Sequence, residues 1–223
     1  PVWALAIICV LLKNGQLCPG QRSRFQGELI TIWTVLFVAI MMGFETQTAT
    51  WILVIGIVGA AYGVLLSIWQ GKLPGKRSIP DKAIYFSLIP LSVFALGVLF
   101  TQSSVFVVLP MIIAGTALAH LLLVKARHRL QAFNKILPFM GVTAAIISLF
   151  TLSLMIFSKG ETVMTAQLTS DMYWFIGFLL VGLAIWLVPL ISNNPESYTL
   201  LGVATFLILI SQILSLDVVS QLN

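Results

Sequence analysis

Two long apolar runs joined by a short basic turn, Ser104 to Ser158, constrain this chain more than any other part of it. SVFVVLPMIIAGTALAHLLLV and ILPFMGVTAAIISLFTLSLMIFS are each about as long as a bilayer crossing. Between them KARHRLQAFNK carries Lys125, Arg127, Arg129 and Lys135 and no acidic residue. A helix needs roughly 20 apolar residues to cross about 30 Å of hydrocarbon. With 59% hydrophobic and 9% charged residues, the chain has too little charge to cover a water-exposed surface. Long runs also exclude a β-barrel, which would show short alternating segments. The expected fold is an all-α membrane protein, an eight-helix transmembrane bundle.

Extended along the chain, the same pattern gives a single transmembrane domain, 1–223, with spans at about 1–12, 29–44, 50–69, 83–101, 104–124, 136–158, 172–192 and 198–216. The first is too short to cross and reads as a truncated helix. Eight spans make the loops alternate sides. Loops one, three, five and seven then hold 11 of the 12 lysines and arginines, and only Lys159 falls opposite. The positive-inside rule puts these loops in the cytoplasm and both termini outside. Tyr173 and Trp174 open span seven as an interfacial aromatic belt would.

Few side chains here could do chemistry. His120 and His128 lie eight positions apart near one helix end, about 12 Å along its axis, so they cannot clasp one haem between them. His120 is expected to bond a neighbouring helix instead. Cys9 and Cys18 make no metal motif, and a disulfide is not expected in a reducing compartment. No Walker, Rossmann, zinc or serine-hydrolase pattern is present. The chain itself is therefore expected to bind no cofactor and no metal, and the loop placement of its charge does not point to nucleic acid.

No acidic residue sits at the centre of a span, which disfavours an ion-coupled pump. Glu45, at the outer mouth between spans two and three, reads either as a solvated carboxylate or as a proton acceptor beside a quinol. The basic residues Lys72, Lys76, Arg77, Lys125, Arg127 and Arg129 read as topology determinants. The functional alternative is that they steer an acidic soluble partner or anionic head groups. Gly59 and Gly63 form a small-xxx-small pair that would admit a neighbouring helix, or simply reflect how common glycine is in membrane helices. Pro90, Pro110 and Pro138 would suit a small transporter or channel if they broke their helices around a substrate site. An assembly anchor without a redox role is a further alternative.

HLLLVKARHRLQAFNKILP and GVTAAIISLFTLSLMIFSKGETVMTA resemble the middle of the dimethyl sulfoxide reductase membrane anchor family, the C subunit. The similarity extends to ALAIICVLLKNGQL, IWTVLFVAIMMGF and DMYWFIGFLLVGLAIWLVPLI. It covers nearly the whole chain, through apolar pattern and loop placement. The resemblance implies eight spans with both termini outside, in the bacterial cytoplasmic (inner) membrane. It also implies a role: holding an iron–sulfur subunit and a molybdopterin catalytic subunit at the membrane and passing them electrons from menaquinol, with no haem in the anchor. One departure stands out. The family's longer connection between spans two and three carries a histidine in a His-Leu-Gly-type motif, whereas here Glu45 to Ala49 is short and has none.

The orientation is testable with single cysteines in a background lacking Cys9 and Cys18. An impermeant maleimide applied to intact cells should label a Thr165→Cys variant and spare a Ser78→Cys variant. The opposite pattern would overturn the 11-to-1 charge argument.

Overall fold

The computed structural model describes residues 1–45, 48–102, 105–126, 131–159, 165–192 and 197–222. Among these, every regular element is helical: α1 (Val2–Asn14), α2 (Pro19–Gly27), α3 (Ile30–Glu45), α4 (Thr50–Lys72), α5 (Asp81–Gln102), α6 (Val108–Lys125), α7 (Gln131–Lys159), α8 (Ala166–Ser192) and α9 (Tyr198–Leu222). A 3-10 turn, Val105–Val107, leads into α6. Seven helical stretches are long and apolar enough to cross a membrane, with α2 and α3 taken together as one. At 13 residues α1 is apolar but reaches only about 20 Å. On α4, Trp51 and Trp69 both face outward, and 18 residues of rise put them about 27 Å apart. That separation matches the hydrocarbon thickness, as expected of a pair of interfacial indoles.

Three boundaries differ from the sequence reading, each for a local reason. The loop read as Lys13 to Glu28 contains α2, a polar helix with Pro19 in its first turn and Phe25 and Gln26 buried. Proline is pre-organised for that position, and its missing N–H costs nothing there. The connection after α7 is shorter than expected because α8 starts at Ala166, where Thr165 Oγ1 accepts the Leu168 N–H at 3.1 Å and caps the helix. α7 starts at Gln131, inside the stretch read as the basic turn, and its 29 residues span roughly 43 Å. The prolines break nothing: Pro90 and Pro138 lie within continuous helices, and Pro110 occupies the first turn of α6.

The described helices form two compact units. The first holds residues 1–101 together with 122–130, so the last turn of α6 counts with it; the second holds 102–121 and 131–223. In the first unit a small-residue stripe on α4 decides how closely α3 and α5 approach. A Cβ built on Gly56 would lie 2.8 Å from Phe94 of α5 and 3.0 Å from Ile40 of α3. One on Gly59 would lie 3.2 Å from Leu91 and 3.3 Å from Pro90. One on Gly63 would collide with the indole of Trp33, whose Nε1 donates to Ser67 Oγ at 3.1 Å. The glycines are therefore packing sites, and their number is not mere helix composition.

The second unit uses a similar arrangement. The Trp186 indole of α8 lies where a Gly141 side chain on α7 would be, and its Nε1 donates to His120 Nδ1 on α6 at 2.8 Å. His120 thus bonds a neighbouring helix, as its position in a span suggested. Thr205 Oγ1 donates to the Ala117 carbonyl at 3.4 Å, and Ser211 Oγ to that of Phe175 at 3.2 Å. Gly182 lets α9 close on α8, its absent Cβ falling 2.8 Å from Ile208.

Gly63→Ala should push Trp33 off α4 and destabilise the protein by about 1–3 kcal/mol, the usual cost of overpacking. Gly71→Ala on the same helix meets nothing within 4 Å and should be neutral or mildly stabilising. Thermal unfolding in detergent compares the two. Equal melting temperatures would remove the stripe from its role.

Candidate docking face

Lys72, Lys76 and Arg77, three of the side chains singled out for partner docking, lie at one end of the first unit, and a buried polar network explains how. The connection 73–80 must turn from α4 into α5, with Gly75 at φ +69° making the bend. Its backbone groups at Ile79 lie under the surface and need partners. Two glutamines supply them. Gln26 of α2 accepts the Ile79 N–H at 2.7 Å and donates to the Ile79 carbonyl at 3.0 Å. Gln70 of α4 accepts the same N–H at 3.0 Å and donates to the Arg77 carbonyl at 3.1 Å and to Ser23 Oγ at 3.2 Å. Both carboxamides are buried, Gln26 at 1% exposure and Gln70 at 6%.

Ion pairs close the same end. Asp81, in the first turn of α5, pairs with Arg22 of α2 at 3.0 Å and accepts from Gln26 Nε2 at 3.3 Å. Glu28, just before α3, pairs with Lys125 in the last turn of α6 at 2.6 Å. Asp81 in the first turn of α5 and Lys125 in the last turn of α6 each sit where the helix dipole favours their charge. Both pairs are partly exposed, so each contributes modestly to stability.

These pairs occupy Glu28 and Asp81. Lys13, Arg24, Lys72, Lys76, Arg77 and Lys82 remain exposed and, among the described residues, outside any ion pair. The Lys76 stem rests against Gly20 of α2, where an added Cβ would lie 3.6 Å from Cδ. Of the docking candidates, Lys72, Lys76 and Arg77 therefore share one basic surface. Lys125 is tied to Glu28. Arg127 and Arg129, with His128, lie outside the described residues.

Glu45 is exposed at the last residue of α3, the end away from this network. Among the described residues no basic side chain pairs with it. The turn beyond it is closed by the Thr48 N–H bonding the Gly43 carbonyl at 3.0 Å. The structure gives Glu45 solvent access.

Sequence reasoning missed Gln26, Gln70, Glu28 and Asp81. For Gln70 a signal was present: positions 56, 59, 63, 66 and 70 form one buried stripe of α4, so the glycine spacing already places Gln70 on the packed face. Gln26 lies in a helix that composition concealed.

A family model described as an integral membrane domain matches residues 2–216. An uncharacterized protein of Haemophilus influenzae is 26% identical over 221 residues, an alignment covering 92% of this chain and 77% of that protein. No solved structure matches.

Proposed function

This chain belongs to the integral membrane domain family, and on that premise we propose that it is the membrane anchor of a molybdopterin oxidoreductase complex of the dimethyl sulfoxide reductase type. In this reading the basic end faces the cytoplasm of a bacterial inner membrane. It tethers an iron–sulfur subunit and, through it, the molybdopterin subunit, while menaquinol supplies the electrons. The observation that carries the reading is the charge at the clamped end. Glu28 and Asp81 are taken up in internal pairs, leaving a surface of lysines and arginines that, among the described residues, has no acidic counterpart of its own. An acidic protein surface supplies that counterpart, and charge complementarity speeds its encounter and fixes its register.

The transporter reading gains no comparable support, because Pro90 and Pro138 interrupt no helix and so open no broken-helix substrate site. The quinol end of the anchor reading is tested separately. Glu45 lies roughly 22 Å along α3 from Ile30, at the opposite end from the basic surface.

Membranes carrying the complex should retain iron and acid-labile sulfide and lose them as salt is raised. A Lys76→Glu/Arg77→Glu variant should lose them severalfold faster, with cysteine labelling confirming that its topology is intact. Correctly inserted variant membranes that still hold the iron–sulfur protein at high salt would overturn the docking reading. For the other end, Glu45→Gln keeps shape and removes the base. It should slow menaquinol-dependent reduction of the complex without altering its assembly, and unchanged turnover would return Glu45 to a solvated loop residue.

A further inference from the structure

We propose that Gln26 and Gln70 are positioning residues that set the 72–82 segment into a fixed shape, so that its basic side chains meet an acidic partner already in register. This rests on the docking reading and adds what makes the surface selective. A loop of this composition, LPGKRSIP, has no reason of its own to hold one conformation. Proline and glycine set the turn, the Leu73 N–H bonds the Gln70 carbonyl, and side chains from outside the loop hold the Ile79 and Arg77 backbone groups.

The two glutamines provide that from two different helices, and they meet at one backbone N–H, that of Ile79. Because Gln26 belongs to α2 and Gln70 to α4, the bonds fasten three segments into one body: α2, the end of α4 and the loop. The Ile79 side chain is buried beneath them at 2% exposure. The Lys76 stem lying on Gly20 extends the same fixation to a charged side chain, with its ammonium outward. Topology signalling needs positive charge on one side and is indifferent to how that charge is arranged. Two buried carboxamides spent on the shape of a surface loop are explained by recognition of a rigid, shaped partner. Ordering a mobile loop on binding would weaken association, and preorganisation removes that loss.

The test compares wild type with Gln26→Leu/Gln70→Leu, which keeps every charge, and with an insertion of two glycines between Pro74 and Gly75, which loosens the loop while keeping both glutamines. Hydrogen exchange over 72–80 reports loop order, and salt-dependent release of the iron–sulfur protein from membranes reports docking. Both variants should exchange faster over the loop and bind about tenfold more weakly, with the slope of release against salt unchanged because the charges are the same. If the loop loosens and the partner is held as tightly as in wild type, the positioning role is overturned while the docking reading stands. If wild-type membranes themselves hold no iron–sulfur protein, the docking reading falls and this inference with it. Should the leucine pair fail to fold, the glycine insertion gives the same decision alone.

Discussion

The seating of Trp33 against Gly63 is the contact on which the first unit depends. Lipid tails are as apolar as leucine, so hydrocarbon gives two apolar helices no hydrophobic reason to prefer each other. Close packing must supply the preference, and close packing needs a place where one helix has no side chain. Gly63 is such a place for α3, and Gly56 and Gly59 serve α5 from the same helix. The indole then adds a hydrogen bond to Ser67, which a phenyl ring could not make. Trp186 repeats the solution in the second unit, with Gly141 as the seat and His120 as the acceptor.

Within the spans, polar side chains act as fasteners. Thr205, Ser211 and the His120–Trp186 pair bond a neighbouring helix, while Thr116 bonds carbonyls of its own. An unsatisfied polar group in hydrocarbon costs several kcal/mol, by order of magnitude, which is what these bonds avoid. The ends of the helices differ. There the polar groups reach between segments, fold a loop and leave charge over, and it is at an end that the chemistry available to this chain is concentrated.

How much of this could be read from the residues follows the range of each interaction. Long apolar runs report the bilayer directly, so the helical class, the span order and the gathering of the basic loops of the first unit at one end were all legible. Glycine spacing on α4 pointed to the packing face but not to which neighbours filled it, because the partners Trp33, Leu91 and Phe94 come from other helices. α2 escaped notice because a short polar helix has no apolar period, and its capping signal, Pro19 followed by Gln21, is weak. The Arg22–Asp81 and Lys125–Glu28 pairs join residues far apart in sequence, and nothing local marks either partner. Glu45 was visible only as a carboxylate near a span end, and the structure shows it exposed and, among the described residues, outside any ion pair.

The pairing of Glu28 with Lys125 also sets an order of events in biosynthesis. The two residues are separated by about a hundred positions, yet both belong to the first unit. At roughly 5–20 residues per second, a ribosome takes about 5–20 s to deliver Lys125 after Glu28 has emerged. Through that interval α3 to α5 are being made, and the carboxylate just before α3 lacks this partner until α6 is complete. The first unit is therefore completed not by its own last helix but by the closing turn of the next one. Its maturation is bound to the insertion of α6, and a chain arrested before that point would leave an unfinished surface open to quality-control proteases.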